Sequence, residues 1–184
     1  MDAARLQLMD ALDRYAGRHT DEEAVRHFAA WLRDVARPFH RETLEGHFTA
    51  SAWLVSADGE RALLMLHRKL GRWLQPGGHA DGEADLPGVA LREAEEETGL
   101  RDLEVLPEIF DVDRHVIPAR GQEPEHWHYD VRYAVVAGGS EDFLVNEESL
   151  ELAWRPVVDI ATDPSLEGSL RRMANKWLRR KAAM

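Results

Sequence analysis

The chain has 184 residues, 44% of them hydrophobic, which is enough for one domain with a substantial core. With 34 acidic against 23 basic residues, the formal net charge of -11 argues against nonspecific binding to nucleic acid or to anionic membranes. No cysteine is present, which excludes disulfides, thiolate zinc sites and thiol nucleophiles. The opening segment has no long apolar run, so we expect no secretory signal, no membrane span and a cytoplasmic location.

Two amphipathic helices are predicted before the first strand. In residues 2–16 apolar side chains recur at a helical period, and Gly17 ends the pattern. A second helix begins at an N-cap, Thr20 or Asp21, and stops at Pro38. We interpret residues 1–40 as an N-terminal helical extension that either packs on the core or forms the contact of a homodimer. The apolar positions of the first helix are Leu6, Met9, Leu12 and Tyr15 or Ala16.

From His47 onward the pattern changes to strands. A hairpin is predicted from FTASAWLVS and RALLMLHRK, which flank an Asp-Gly turn at Asp58 and Gly59. Two long strands are expected further along, LEVLPEIFDVDRHVI and HWHYDVRYAVVAG, followed by a short strand, ELAWRPV. Asp163 or Ser165 is predicted to cap a final amphipathic helix. Its apolar side chains are Leu166, Leu170, Met173, Trp177 and Leu178.

A helix rich in carboxylates follows a glycine turn in the segment GHADGEADLPGVALREAEEETGL, residues 78–100. Glu93, Glu96 and Glu97 are three and four positions apart, so they share a helical face. Three carboxylates on one face repel each other, and the glycine turn lets the backbone approach them closely. This arrangement indicates a divalent cation. The alternative is a solvated surface helix with a glycine C-cap, but the preceding WLQPGG, a strand end running into a turn, favours the functional interpretation.

The same segment resembles the signature of the Nudix hydrolase family, G-x5-E-x7-R-E-U-x-E-E-x-G-U, in which U is a bulky apolar residue. Ala84 occupies the position of the first Glu, between Glu83 and Asp85, and a shift of one residue in the loop would restore a carboxylate there. The positions that match are Gly78, Arg92, Glu93, Glu96, Glu97, Gly99 and Leu100, with the small Ala94 at the first U.

The resemblance implies an α+β fold, an α/β/α sandwich in which a mixed sheet lies between helices, with residues 45–184 as the Nudix domain. It also implies hydrolysis of a diphosphate linkage in a nucleotide-type substrate, with Mg²⁺ or Mn²⁺ as cofactor. By similarity, Glu96 and Glu97 are the principal metal ligands and the Gly77 carbonyl is a further one. Glu93 is either another ligand or the group that orients the attacking water. Arg92 is expected to hold one of the helix glutamates in place.

Some family members add a carboxylate from a loop before the last core strand. Here Glu147 and Glu148 precede ELAWRPV, and the resemblance favours Glu148 as a further catalytic residue. The alternative, that both acids merely open a short solvated helix, stays open.

Substrate contacts are expected from bases and histidines near the glycine turn. Arg68, Lys69 and Arg72 precede the turn and could meet phosphates, although bases at strand ends are usually only solvated. His79 follows the turn, and His128 lies on a strand face that could bind metal or phosphate, so both are candidate site residues. For His126, on the same face, we favour a polar strand face or the mouth of the cleft. No histidine spacing typical of a zinc site is found.

Two other classes of protein are alternatives to a hydrolase. A related fold hosts isopentenyl diphosphate isomerases, whose chemistry relies on a cysteine that this chain lacks. A non-catalytic Nudix-like binding or regulatory module is the second, and Ala84 is its only positive sign. The glutamates at positions 93, 96 and 97 speak against it.

Overall fold

The computed structural model describes residues 2–19, 22–145, 147 and 149–183. The predicted N-cap at Thr20 or Asp21 therefore lies outside the described residues. No helix in the described part is both long and apolar enough to cross a membrane. In chain order the elements are α1 (Ala3–Ala16), α2 (Glu22–Asp34), β1 (Gly46–Val55), β2 (Arg61–His67), β3 (Trp73–Leu74), β4 (Gly77–His79), α3 (Leu86–Thr98), β5 (Leu103–Ile117), β6 (His126–Ala137), β7 (Ser149–Pro156), α4 (Val157–Thr162) and α5 (Gly168–Ala182).

The strands form one seven-stranded mixed sheet. Five strands run in the order β3-β2-β1-β6-β5, while β4 pairs with β1 and β7 pairs with β2. The β1–β6 pair is parallel, and every other pair among the described strands is antiparallel. The predicted hairpin joins β1 and β2, and Gly59 has a positive φ of 68° in its turn, a conformation that favours glycine. The predicted mixed sheet between helices is confirmed.

Helices cover both faces of this sheet. All ten residues of β1 are buried, as expected of a strand covered on two sides. Because side chains alternate along a strand, Phe48 and Ala50 pack towards α1, α2 and α3, whereas Trp53 and Val55 pack towards α4 and α5. The sheet face that carries Trp53 is thus apolar where α5 covers it. The polar residues of the same face lie closer to the start of β1.

The N-terminal helices pack on the core, which is the first of the two roles considered for them. Leu12 and Phe28 are fully buried in the cluster that contains Phe48. The expected apolar face of α1 was partly wrong, because Leu6 is 51% exposed and Leu8 is buried instead. A helical period of apolar residues predicts an amphipathic helix. Which of its side chains are buried depends on where α2 and the sheet lie.

The C-terminal helix begins later than predicted. Asp163 and Ser165 do not cap it, since α5 starts at Gly168 with Glu167 at the N-cap. Asp163 instead ends the unpredicted α4, where its backbone N–H donates to the Asp159 carbonyl. Its carboxylate then accepts hydrogen bonds from the backbone and hydroxyl of Ser165, which forms the connecting turn. Of the predicted apolar side chains, Leu170, Met173 and Trp177 are buried on α5, whereas Leu166 is buried just before the helix begins.

Candidate functional site

Helix α3 is held at both ends by local signals in its sequence. The Asp85 carboxylate accepts from the Gly88 N–H at the N-terminus, and Gly99 ends the helix with a φ of 71°. One face carries Leu86, Val89 and Ala94 into the core. This seating turns the side of the helix with the glutamates towards β4.

The glycine turn lies directly against two of the helix glutamates. The Gly77 N–H donates to Oε2 of Glu97 at 2.9 Å, and Glu97 is only 6% exposed. A Cβ built on Gly78 would lie 2.4 Å from Oε2 of Glu93, and one on Gly77 would lie 2.3 Å from the Ser51 hydroxyl. A side chain at Gly77 would also meet backbone atoms of Ala50 and Ser51 at 2.8 Å, whereas one at Gly78 would have to displace the Glu93 carboxylate. The structure thus brings the turn and these two acids together as expected.

Arg92 partly balances the charge of this group. Its guanidinium donates to Oε1 of Glu93 at 3.1 Å, while the Arg92 side chain is itself exposed. Glu96 is exposed on the same stretch of α3. Carboxylates are hard oxygen donors, and beside a backbone cradle that a Cβ would fill they fit a divalent cation.

The loop before α3 uses its carboxylates locally. Ala84, at the position of the first Glu of the signature, packs against the core. Glu83 accepts from the Asp85 N–H at 3.0 Å, and Asp85 caps α3. These two neighbouring carboxylates therefore stabilise the loop and the start of the helix.

Two of the candidate phosphate-binding bases are attached to other parts of the fold. Arg68 donates to the carbonyls of Glu147 and Ser149, at 2.8 and 3.1 Å, and Arg72 donates to Glu167 at 2.7 Å. Lys69 is exposed. Arg68 and Arg72 thus join the β2–β3 turn to β7 and to the start of α5. The candidate base Glu148 lies outside the described residues.

Histidines from several strands meet on the opposite face of the sheet from α3. His47 is opposite His128 in the parallel β1–β6 pair, and Thr49 is opposite His79 in the β1–β4 pair. The ring centroids of His79 and His128 lie 5.0 Å apart, so these two candidates are neighbours. His126 is only 4% exposed, and its ring lies against that of His128, 5.1 Å away between centroids.

Sequence reasoning missed His47, which lies in the middle of this histidine group. Burial lowers its pKa to about 4, and neighbouring imidazoles, His79 first, add to the shift. Burial likewise lowers the pKa of His128 to about 2, again with help from His79 and His47. Both rings are therefore neutral near pH 7. The signal in the sequence was a histidine at the start of a largely apolar strand.

A network of buried charges adjoins the histidines on the same face. Arg132 is paired with Asp130 at 2.7 Å, with Asp111 at 3.3 Å and with Asp113 at 3.2 Å. Burial alone would raise the pKa of Asp113, but the hydrogen bond from His115 and the positive charge of Arg132 hold it well below its usual range. This network connects β5 and β6 beneath α5.

Comparison with known proteins identifies the family. The family model described as the NUDIX domain matches residues 46–177, which begin after the two N-terminal helices. A Mycobacterium tuberculosis protein named "Putative 8-oxo-dGTP diphosphatase 3" is 34% identical over 143 residues, which cover 70% of this chain and 62% of that protein. The CMP-5'-(N-acetyl-N-hydroxy-3-aminopropyl)phosphonate hydrolase of Streptomyces rubellomurinus is 33% identical over 132 residues, covering 65% of this chain and 59% of that enzyme. The chain thus spans about three fifths of the length of these curated relatives.

The fold has close counterparts among solved structures. A C. elegans Ap4A hydrolase in a binary complex superimposes with a TM-score of 0.59 at 18% identity, covering 74% of this chain and 98% of that one. At this identity the likeness concerns the fold alone, and it agrees with the α+β class. Because the family model covers well over half of the chain and includes the glycine turn and α3, this protein belongs to the NUDIX domain family.

Proposed function

We propose that this protein is a metal-dependent diphosphatase that hydrolyses a diphosphate linkage in a nucleoside diphosphate derivative. The observation that carries the proposal is the contact between the glycine turn and α3. There Glu97 accepts from the Gly77 N–H, and the Glu93 carboxylate fills the space that a side chain at Gly78 would need. A buried, a partly buried and an exposed carboxylate on one side of a helix, against bare backbone, are typical of a site for a hard cation.

The chemistry requires negative charge to be neutralised and water to be oriented. A diphosphate already carries negative oxygens, which repel an incoming nucleophile. Glu96 and Glu97, with the Gly77 carbonyl, would hold a Mg²⁺ or Mn²⁺ ion, which when bound neutralises phosphate oxygens and lowers the pKa of water. Glu93 would either complete this ligand set or orient the attacking water, and the hydrogen bond that Arg92 donates to it at 3.1 Å would hold it in place.

The names of the relatives support a nucleotide-type substrate. One is named for 8-oxo-dGTP and the other for a CMP-phosphonate conjugate, and both names specify a nucleotide. For this chain we propose that His79, which follows the turn, borders the substrate, and that Lys69, Arg68 and Arg72 act as further phosphate contacts. Glu148 is proposed as a further carboxylate. A cytoplasmic location and a homodimer stay predictions.

A panel of nucleotides with Mg²⁺ or Mn²⁺ tests the proposal through phosphate release. We expect Glu97→Gln to reduce kcat by about 100-fold or more, since it removes charge at the proposed metal site. Glu95→Gln is the matched control, because Glu95 is on the same helix and faces Arg101 at 4.0 Å. Unchanged activity of Glu97→Gln would overturn the metal assignment.

The alternative is a non-catalytic nucleotide-binding module, which Ala84 favours because it removes one signature carboxylate. This alternative predicts nucleotide binding by the pure protein without turnover of any diphosphate in the panel. Metal-dependent turnover that is lost in Glu97→Gln and kept in Glu95→Gln would exclude it.

A further inference from the structure

Three histidines bring ring nitrogens to one point of the sheet, away from the helix glutamates. We call His47, His126 and His128 the histidine cluster. One ring nitrogen from each lies within 4.8 Å of those of the other two. The Nε2 atoms of His126 and His128 are 3.3 Å apart. Two nitrogens bound to a tetrahedral zinc at about 2.0–2.1 Å are separated by about 3.3–3.4 Å, so this spacing matches a shared ion.

The hydrogen bond at the other side of the His126 ring determines its tautomer. Nδ1 of His126 lies 2.9 Å from the Pro124 carbonyl, which can only accept, so Nδ1 carries the proton. In a neutral ring Nε2 then has a lone pair, which accepts a hydrogen bond from Nε2–H of His128 at 3.3 Å and can bind an ion in its place. A ring that donates one N–H to a backbone carbonyl and offers its other nitrogen inward is typical of histidines that bind metals.

His47 provides a second, independent observation. It is 1% exposed, and in the described part of the chain neither of its ring nitrogens has a hydrogen-bond partner. Against the larger effect of burial, the Thr43 backbone raises the pKa of His47, but it does not form a hydrogen bond of acceptable geometry with the ring. Burying an unpaired polar group costs about 1–3 kcal/mol, so such a group calls for an explanation. The His47 ring lies 5.0 Å from that of His126 and 4.9 Å from that of His128, between centroids.

Two simpler explanations fit less well. Packing alone would be served better by an apolar residue at position 47, which would leave no unpaired nitrogen. An anion site would need N–H donors directed at the ion, whereas His126 uses its Nδ1–H on the Pro124 carbonyl and has Nε2, an acceptor, on the side of the cluster. A nitrogen with a lone pair in this position suits a cation.

We propose that the histidine cluster binds one transition-metal ion, with Zn²⁺ the best fit, at a site separate from the glutamates of α3. Imidazole ligands select Zn²⁺ and similar ions, while Mg²⁺ prefers oxygen. Three protein ligands leave a fourth position in a tetrahedral site, and the His79 ring, 5.0 Å from those of His47 and His128, borders it. The ion would connect β1 to β6.

Titration of the chelator-treated full-length protein with Zn²⁺ or Co²⁺ tests this proposal. Excess Mg²⁺ is included to occupy the carboxylates, so that only imidazole-type binding is measured. We expect one equivalent to bind the wild type, with the visible absorption of tetrahedral Co²⁺. His126→Gln and His128→Gln should each weaken binding by about tenfold or more. His27→Gln, at an exposed position of α2, is the matched control and should bind like the wild type.

Two further measurements keep the test decisive if a variant misfolds or the hydrolase assignment fails. X-ray absorption of the zinc-loaded wild type should show imidazole scattering from several ligands, and a shell of oxygen alone would overturn the site. Glu97→Gln should keep its full affinity for Zn²⁺, which separates this site from the proposed catalytic one. No binding by the wild type, or equal binding by a folded His128→Gln, would refute the proposal.

Discussion

Replacing Asp111 by Asn tests how charge is balanced inside the protein. Asp111 is fully buried and accepts from Arg132 at 3.3 Å, from Arg172 at 2.7 Å and from Lys176. In the described contacts Asp111, Asp113 and Asp130 form ion pairs with these three cations, so three negative charges face three positive ones. The substitution keeps the shape of the side chain but removes its charge, so the interior is left with an excess positive charge.

The expected loss follows from this burial. Breaking a buried ion pair from one side costs about 3–5 kcal/mol, and because Asn still accepts a hydrogen bond we expect a value near the lower limit, about 3 kcal/mol. For a chain of this size that corresponds to a decrease in Tm of about 6–12 °C. The pairs of Asp111 with Arg132 and Lys176 are screened least by solvent, since both cations are largely buried, whereas Arg172 is partly exposed.

Urea and thermal unfolding followed by circular dichroism measure the effect. Asp34→Asn is the control, because its ion pair with Arg33 is exposed and should leave stability unchanged within error. Adding Lys176→Met to Asp111→Asn should recover part of the loss, since it removes one of the unbalanced cations. A loss in Asp111→Asn no larger than in the control would refute the account of a balanced network.

Two further predictions concern the turn and the acid range. Gly78→Ala should lower the proposed diphosphatase activity by about tenfold or more and raise the concentration of Mg²⁺ that the activity requires, because the new Cβ would displace Glu93. Gly168→Ala is the control, because a Cβ there would only make ordinary contact with Arg171 at 3.9 Å. Asp113 has a folded pKa below its unfolded value of 3.8, so the unfolded chain binds more protons there and stability falls as the pH decreases below about 4. Asp113→Asn should flatten this part of the curve of unfolding free energy against pH, and an unchanged slope would contradict the assignment.

Much of the secondary structure follows from local patterns. The predicted strand LEVLPEIFDVDRHVI coincides with β5, Leu103–Ile117, because alternation and β-branched residues are properties of the segment itself. The strands β3 and β4, with two and three residues, were not separated in advance. Such short strands exist through pairing with β2 and β1, which the segment alone does not encode. The short helix α4 was missed for a similar reason, since six residues carry too little periodicity.

The proposed catalytic site was predictable to the extent that it is local. Glu93, Glu96 and Glu97 are neighbours on any helix, and the glycine turn lies only a loop away in sequence. The structure added which backbone N–H meets which carboxylate, Gly77 with Glu97, because that depends on how α3 packs against β4.

The sequence alone determined the family signature, the carboxylate face of α3 and the main strands, since each depends on spacing within one segment. Only the tertiary structure decided that His47 joins His126 and His128, and that Asp111 meets Arg132 and Lys176. The physical reason is that these contacts depend on strand pairing and register. The parallel alignment of β1 with β6 sets His47 opposite His128, and a register shift of one residue would turn these side chains to opposite faces.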